Sequence, residues 1–288
     1  MHPRPRIACS IIPLALLLAA AGTSALSWGT NGHAIVTSNA IVILPKELKP
    51  FYKANSNYIV PLSDLPDDWK DTHRNEERAN HYINLDKLAD PPFSKLIMSR
   101  SAAVKRFGKA RLREAGFLPW VIAERYAKLV KAFKNKDMVE IVVQSSLLAH
   151  YVADAHVPLH ATRHYDGKTP QQKGLHSRWE VELLQRHAVR VNPEPPQKVT
   201  KILTSAFHWC ISSWKQTGAI FRAEDSAHKI GRRRSTDYYD SLFQHTGHIL
   251  KGRLESAAEA LAGVYVAAWA EAGKPKLPNK CAPLFWGH

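Results

Sequence analysis

Apolar residues recur along this chain at the three- and four-residue spacing of amphipathic helices. The spacing predicts helices over residues 31–44 and 119–134, and a third helix that begins at Asp137 and continues past Val152. Further segments with the same period cover residues 198–217, 236–250 and 252–271. Alternating apolar and polar positions between turn residues, the mark of strands, are scarce. The pattern therefore predicts an all-α protein.

Polar stretches separate these helices without dividing the chain into independent parts. The long connections are predicted at residues 56–79, 163–175 and 189–196. No internal repeat, low-complexity tract or linker-like composition interrupts the sequence. We therefore predict one compact multi-helix domain.

The first 27 residues have the composition of an export signal. Positive charge precedes a 12-residue apolar run, residues 11–22, and the small residues Ala25 and Ser27 follow it. A membrane-spanning helix needs about 20 apolar residues, so the run is too short for an anchor. We predict that residues 1–27 are removed by cleavage before Trp28. Residues 28–288 would then form the mature domain, in a secreted or periplasmic protein.

The charge balance favours an anionic partner. The formal net charge is +15, and it becomes +13 when the two arginines of the predicted signal are removed. An excess of this size attracts polyanions such as nucleic acid, and also acidic lipid surfaces. Charge alone does not specify any chemistry.

Two cysteines remain in the predicted mature chain, Cys210 and Cys281. In an oxidising compartment such a pair predicts a disulfide, which would hold the C-terminal tail against a helix. The alternative is two separate buried thiols.

Two pairs of histidine and carboxylate lie in the middle of the chain, His150 with Asp154 and His176 with Glu180. The members of each pair are four residues apart, so each pair shares one helix face. A single pair of this kind is more often an exposed helix face than a metal site. Three more residues of the same types complete the pattern: Asp67, His81 and His160. Histidines and carboxylates converging from several elements predict a zinc centre.

Together with an N-terminal motif, this pattern resembles that of a known superfamily. The sequence reads WGTNGH from Trp28 to His33, HYVADAHVPLH from His150 to His160, and HSRWE from His176. The chain thereby resembles the superfamily of zinc-dependent phospholipase C and the fungal single-strand-specific zinc nucleases, closely as far as about Leu184. The resemblance implies an all-α fold of that type, three zinc ions and hydrolysis of phosphoester bonds.

The resemblance also implies the zinc ligands, residue by residue. One zinc would be held by Asp67, His81, His150 and Asp154. A second zinc would be held by His160, His176 and Glu180. The third would take the amine and carbonyl of Trp28 together with His33 and Asp154, so that Asp154 bridges two ions. Cleavage before Trp28 would be needed to expose that amine.

Three residues are candidates for the reaction itself. The resemblance implies that Asp67 orients or deprotonates the attacking water as well as binding metal. Lys70 could reach a phosphate oxygen, or it could be an ordinary solvated lysine. The Tyr82 ring, directly after His81, could stack on a base or belong to the core.

The sequence carries marks of both substrate classes in the superfamily. His33 follows Trp28 by five positions, as in the nucleases. The 14-residue spacing from Asp67 to His81 resembles the phospholipases, as does Glu180, where the nucleases usually have Asp.

The residues of a choline-binding cage are missing from the corresponding positions. Asp68 and Arg78 stand where the phosphatidylcholine-cleaving enzymes have aromatic residues, so a quaternary ammonium would find no cage. With the positive charge, this favours a nuclease acting on single-stranded nucleic acid. The alternatives are a zinc-dependent phospholipase C and a non-catalytic exported protein that binds zinc or an anion. The oligomeric state stays open.

Overall fold

The structure is a computed structural model that describes residues 28–72 and 77–279, and within these ranges the regular elements are all helical. The predicted all-α class is confirmed. The α-helices of four residues or more, apart from one short turn near residue 183, are α1 Gly29–Ile43, α2 Lys49–Ala54, α3 Ser56–Leu62, α4 Leu65–Thr72, α5 Arg100–Phe107, α6 Lys109–Ala115, α7 Leu118–Asn135, α8 Met138–Ala155, α9 Ile202–Trp214, α10 Thr217–Ile230 and α11 Thr236–Glu271.

Helix α8 lies at the centre of the fold. The Asp137 side chain caps its N-terminus by accepting a hydrogen bond from the Glu140 amide at 3.0 Å. From Ile141 onwards nearly every side chain of α8 is buried, because α1, α3, α7 and α11 pack around it. Its polar side chains near the C-terminal end are therefore buried too, and buried polar groups need partners. The candidate site is built around that end.

Helix α11 continues through the point where the sequence predicts a break between two helices. It is 36 residues long, and Ser235 caps its start by accepting from the Tyr238 amide at 3.2 Å. Gly252 lies inside it and costs a helix only about 1 kcal/mol relative to alanine. Packing against α1, α10, α7 and α8 along its length outweighs that cost.

The predicted connection over residues 56–79 is largely helical, which corrects the sequence-based expectation. Helix α3 contains the buried Ile59 and tolerates Pro61 within its last turn, and α4 follows directly. Asp67 consequently lies in the first turn of α4.

The segment after α4 is held beside the loop that precedes α7. The Asn84 amide donates to the Ala115 carbonyl at 2.6 Å, and the Phe117 amide donates to the Ala79 carbonyl at 2.7 Å. Gly116 lies between these bonds with φ +95°, and a Cβ there would collide with the Tyr82 carbonyl. The glycine thus permits the close approach that fixes the chain around Tyr82.

Several predictions fall partly or wholly outside the described residues. The predicted signal peptide, residues 1–27, and Cys281 lie outside them, while Cys210 is buried on α9. Cleavage before Trp28 and the Cys210–Cys281 disulfide therefore stay predictions. No helix in the described ranges is long and apolar enough to cross a membrane.

Candidate metal centre

The candidate ligands converge at the C-terminal end of α8. Each has a buried side chain, and each contacts at least one other member of the set. They come from helices α1, α4 and α8, two 3-10 turns, and a short helical segment after residue 174. The nine residues brought together are Trp28, His33, Asp67, His81, His150, Asp154, His160, His176 and Glu180.

The first group of donors lies between α4, α8 and the turn that carries His81. His81 Nδ1 is 2.9 Å from His150 Nε2, and each of these nitrogens is 3.5 Å from Asp67 Oδ1. Asp154 Oδ2 is 3.0 Å from His81 Nδ1 and 3.3 Å from His150 Nε2. These are the four residues that the resemblance assigns to one zinc.

The second group of donors lies where the turn after α8 meets residues 175–186. We call these residues the π-segment. Its middle part, Arg178–Glu182, is a π-helix. His160 Nε2 is 3.0 Å from His176 Nε2, which is 2.7 Å from Glu180 Oε1. His160 Nε2 is also 3.7 Å from Glu180 Oε2. The resemblance assigns these three residues to the second zinc.

The third group is formed by the start of α1 against α8. The His33 ring stacks on His150 with centroids 4.0 Å apart, and His33 Nε2 is 3.8 Å from Asp154 Oδ1. The Trp28 side chain is completely buried, with its indole N–H donating to the Ala153 carbonyl at 2.9 Å. The backbone nitrogen of Trp28 lies 2.9 Å from Glu180 Oε2, so it reaches the second group as well.

Two histidines are oriented by backbone carbonyls. His150 Nδ1 is 2.8 Å from the Ser63 carbonyl, and His160 Nδ1 is 2.6 Å from the His81 carbonyl. A carbonyl only accepts, so Nδ1 of each ring carries the proton and Nε2 keeps its lone pair. Both lone pairs therefore point into the cluster, an arrangement common among metal-binding histidines.

The pKa shifts of His33, His160 and Asp67 suit metal binding, whereas the neighbouring carboxylates raise the pKa of His150 and of His176. Burial lowers the pKa of His33 and of His160 to about 3, so both rings are neutral near pH 7. Burial alone would raise the pKa of Asp67, but the neighbouring His150 and Lys70 hold that pKa below its usual value. Metal ligation requires neutral imidazoles and ionised carboxylates.

The donor geometry fits zinc. Imidazole nitrogen and carboxylate oxygen are usual zinc donors, and bonds of 2.0–2.1 Å in a tetrahedron put two donors about 3.3 Å apart. The two histidine pairs described above, at 2.9 and 3.0 Å, approach that spacing. Asp67 Oδ2 is buried and has no hydrogen-bond partner within residues 28–72 and 77–279. A cation bound between these groups would satisfy the donors together.

The sequence profile of the S1/P1 nuclease family matches residues 28–271, which include the nine clustered residues. The chain belongs to the S1/P1 nuclease family. No curated protein matches it. Membership confirms the predicted superfamily of phospholipase C and zinc nucleases, and it makes this chain a phosphodiesterase of a zinc-dependent family.

A carboxylate that the sequence analysis did not identify lies behind His81. Glu77 Oε1 is 3.2 Å from His81 Nε2 and accepts from the Tyr151 hydroxyl at 2.6 Å. Glu77 Oε2 accepts from the Asn80 amide at 3.0 Å. The four-residue spacing from Glu77 to His81 was the available signal. Asp64 was also missed: one of its oxygens lies within 4.8 Å of donors of His33 and Asp67.

The three residues predicted to act on substrate lie at or beside the cluster. The Lys70 ammonium forms an ion pair with Asp67 Oδ1 and is only slightly exposed. Tyr82 follows His81 with its ring partly buried. Tyr165, which the sequence analysis did not identify, is 50% exposed, and its ring centroid lies 5.7 Å from that of His176. The Tyr165 ring thus lies beside a histidine of the second group, and Tyr82 is the chain neighbour of a histidine of the first.

The π-segment is held from behind by a buried ion pair. The Arg178 guanidinium pairs with Glu224 of α10, and Arg178 Nε donates to the Tyr238 hydroxyl of α11 at 2.8 Å. Arg178 also donates to the carbonyls of Gln172 and Lys173. These bonds fix the turn that carries His176 and Glu180, and π-turns are frequent at functional sites.

Proposed function

We propose that the mature chain is an exported nuclease that cleaves single-stranded nucleic acid with three zinc ions. The proposal rests mainly on one observation: the three buried groups of donors all lie against the same carboxylate, that of Asp154. Asp154 lies within 3.8 Å of His33, His81, His150 and His160, so its carboxylate borders all three groups. A carboxylate in that position suits a bridge between metal ions.

The ligand sets in this proposal are those that the resemblance implies. Asp67, His81, His150 and Asp154 hold one ion, and His160, His176 and Glu180 hold the second. Trp28, His33 and Asp154 hold the third, with Trp28 contributing its freed α-amine and its carbonyl. Export and cleavage before Trp28 belong to the same proposal, because the lone pair of an internal peptide nitrogen is delocalised into the carbonyl and does not bind a metal as an amine does.

The reaction needs a nucleophile and charge compensation at the phosphate. Zinc bound in these groups supplies Lewis-acid charge that activates water and stabilises the negative charge developing on the phosphate. Asp67 is ionised and keeps Oδ2 available, so it can orient the attacking water and accept its proton. Lys70, already beside Asp67, can shift its ammonium to a phosphate oxygen.

The aromatic residues around the cluster favour nucleic acid over lipid. Tyr82 and the half-exposed Tyr165 offer two faces on which bases can stack, each worth about 1–3 kcal/mol per base. Asp68 and the exposed Arg78 provide no aromatic cage for choline. The spacing of Asp67 and His81, together with Glu180, keeps phospholipase C as the second candidate.

A substrate comparison tests this choice. The zinc-loaded protein that begins at Trp28 should release acid-soluble nucleotides from single-stranded nucleic acid faster than it releases phosphorylated headgroups from phosphatidylcholine vesicles. The apparent affinity for single-stranded nucleic acid should also fall steeply with salt. For each tenfold rise in salt, log affinity should decrease by about 0.7 per phosphate contact. Rapid headgroup release without nucleotide release would assign the protein to the phospholipases. Full zinc occupancy without either activity would favour the non-catalytic alternative.

Glu77→Gln should weaken zinc binding without unfolding the protein. Glutamine has nearly the same shape but loses the charge that pairs with the His81 ring, and outer carboxylates of this kind typically contribute 10–100-fold to metal affinity. We expect about that loss in a zinc competition assay with a chelator, and activity that recovers in excess zinc.

The matched control is Glu271→Gln. Glu271 also accepts a hydrogen bond from a tyrosine hydroxyl, that of Tyr126, at 2.8 Å, but it contacts none of the nine clustered residues. The zinc affinity of the Glu271→Gln variant should equal that of the unaltered protein. Equal affinities in both variants would show that Glu77 does not hold His81 for the metal.

A further inference from the structure

The turn between α10 and α11 concentrates positive charge that the candidate metal centre does not use. We call residues 229–234 the basic turn. It contains Lys229, Arg232, Arg233 and Arg234, all exposed, and no acidic residue lies between Asp225 and Asp237. Lys229 and Arg232 form no ion pair with any residue of the described ranges.

The basic turn is attached to the loop that leads into the second donor group. His228 Nε2 lies 3.1 Å from the Gln171 carbonyl, to which Arg233 also donates. Arg234 Nη2 is 3.3 Å from Glu182 Oε1. Gln171 lies five residues before His176, and Glu182 lies two residues after Glu180.

Two further exposed cations belong to the loop that the basic turn contacts. Lys168 and Lys173 are exposed on the same loop as Gln171, and Tyr165 lies at the other end of that loop, against His176. Five residues span at most about 18 Å, so Gln171 cannot be farther than that from His176. At about 3.4 Å per nucleotide of a helical strand, this distance corresponds to roughly five nucleotides.

We propose that the basic turn binds the phosphate backbone of the substrate strand a few nucleotides away from the bond that is cleaved. The inference rests on the proposed function, since it assumes a polynucleotide substrate. Arginine and lysine side chains that lack an acidic partner gain the most from phosphate, because no intramolecular ion pair has to be broken. Such contacts hold the strand without reading its sequence.

An acidic lipid surface would also attract these cations, but the turn is a poor membrane anchor. Ile230, 65% exposed, is the single large apolar side chain that it offers to solvent. Interfacial binding requires a wide apolar face in addition to positive charge. A polyanion that extends from the metal centre fits the position and composition of the turn better.

The test compares a long substrate with one too short to reach the turn. The variant is Lys229→Gln/Arg232→Gln, prepared as the processed, zinc-loaded protein. With a single strand of about 40 nucleotides, several times a typical site size, KM should rise about tenfold or more at moderate salt. Each phosphate contact contributes about 0.7 to the slope of log affinity against log salt, so the loss of two contacts should reduce the steepness of that slope by about 1.4. Hydrolysis of bis(p-nitrophenyl) phosphate should change less than about twofold.

The matched control removes two charges at the other end of the fold. Lys131 and Lys134 are exposed near the C-terminus of α7, next to the start of α8. From Asp137 to His150 the helix rises about 20 Å, which separates these lysines from the cluster. Lys131→Gln/Lys134→Gln should leave both KM and the salt slope unchanged.

The experiments distinguish failure of the inference about the basic turn from failure of the proposed function. Equal KM and equal salt slope in the two double variants would overturn the inference. Loss of binding to phosphatidylserine vesicles, with nucleic-acid affinity intact, would overturn it in favour of a lipid surface. If the unaltered protein hydrolyses the chromogenic diester but no oligonucleotide, the proposed substrate fails. Binding of an uncleavable phosphorothioate strand to both double variants then still decides whether the turn contacts nucleic acid.

Discussion

Asp154→Ala should be the most damaging substitution in the candidate metal centre. Its carboxylate is completely buried and borders four imidazoles, at 3.0 Å from His81, 3.3 Å from His150, 3.6 Å from His160 and 3.8 Å from His33. The variant should lose two zinc ions per chain. Its activity should fall by more than the roughly 10–100-fold typical of an outer-sphere partner.

The same variant should also be the least stable of the ligand variants. Zinc that binds the folded chain contributes its binding free energy to folding, so the loss of two ions lowers the melting temperature more than the loss of one. His176→Ala and Glu180→Ala serve as controls, because each should deplete a single ion. Full zinc content and an unchanged melting temperature in Asp154→Ala would contradict the bridging role.

A single residue left before Trp28 should have a comparably large effect on zinc content and rate. The Trp28 nitrogen lies 2.9 Å from Glu180 Oε2, and its side chain is completely buried with the indole N–H bonded to the Ala153 carbonyl. Gly29, at φ +55°, packs so closely on Val181 that a Cβ would come within 3.3 Å of its Cγ2. In the proposed centre an added residue converts the amine ligand into an amide. Protein that begins with Met-Trp28 should therefore hold fewer zinc ions and lose most of its activity.

The comparison can be made on one protein batch. A removable N-terminal segment with a protease site directly before Trp28 allows zinc per chain and diester hydrolysis to be measured before and after cleavage. Both should rise on cleavage, while the helical signal in circular dichroism stays the same. Equal zinc and equal rates would remove Trp28 and the third ion from the mechanism.

Helix α8 could be predicted from the sequence because its apolar residues, and its candidate ligands His150 and Asp154, recur at the helical spacing. His150 and Asp154 are four apart on α8, and that helix begins at the predicted cap, Asp137. The sequence predicts α11 as two helices, residues 236–250 and 252–271, whereas packing along its 36 residues keeps it continuous. Local propensity thus failed where tertiary contacts outweigh it.

Partners that are remote in sequence were beyond prediction. Arg178 and Glu224 are 46 residues apart, and no period connects them, yet their ion pair holds the π-segment. Glu77 was overlooked because the stretch before it reads as a polar connection, although α3 and α4 occupy most of that stretch. The family resemblance implies which residues are ligands, but the orientation of each ring depends on carbonyls such as those of Ser63 and His81.

Anomalous X-ray diffraction at the zinc absorption edge tests the central claim most directly. Crystals of the protein that begins at Trp28 should show three zinc peaks per chain, with ligand bonds of about 2.0–2.2 Å. One peak should lie among Asp67, His81 and His150, one among His160, His176 and Glu180, and one between Trp28, His33 and Asp154. A fully active protein whose crystals lack the peak at Trp28, or hold zinc away from these residues, would contradict the account.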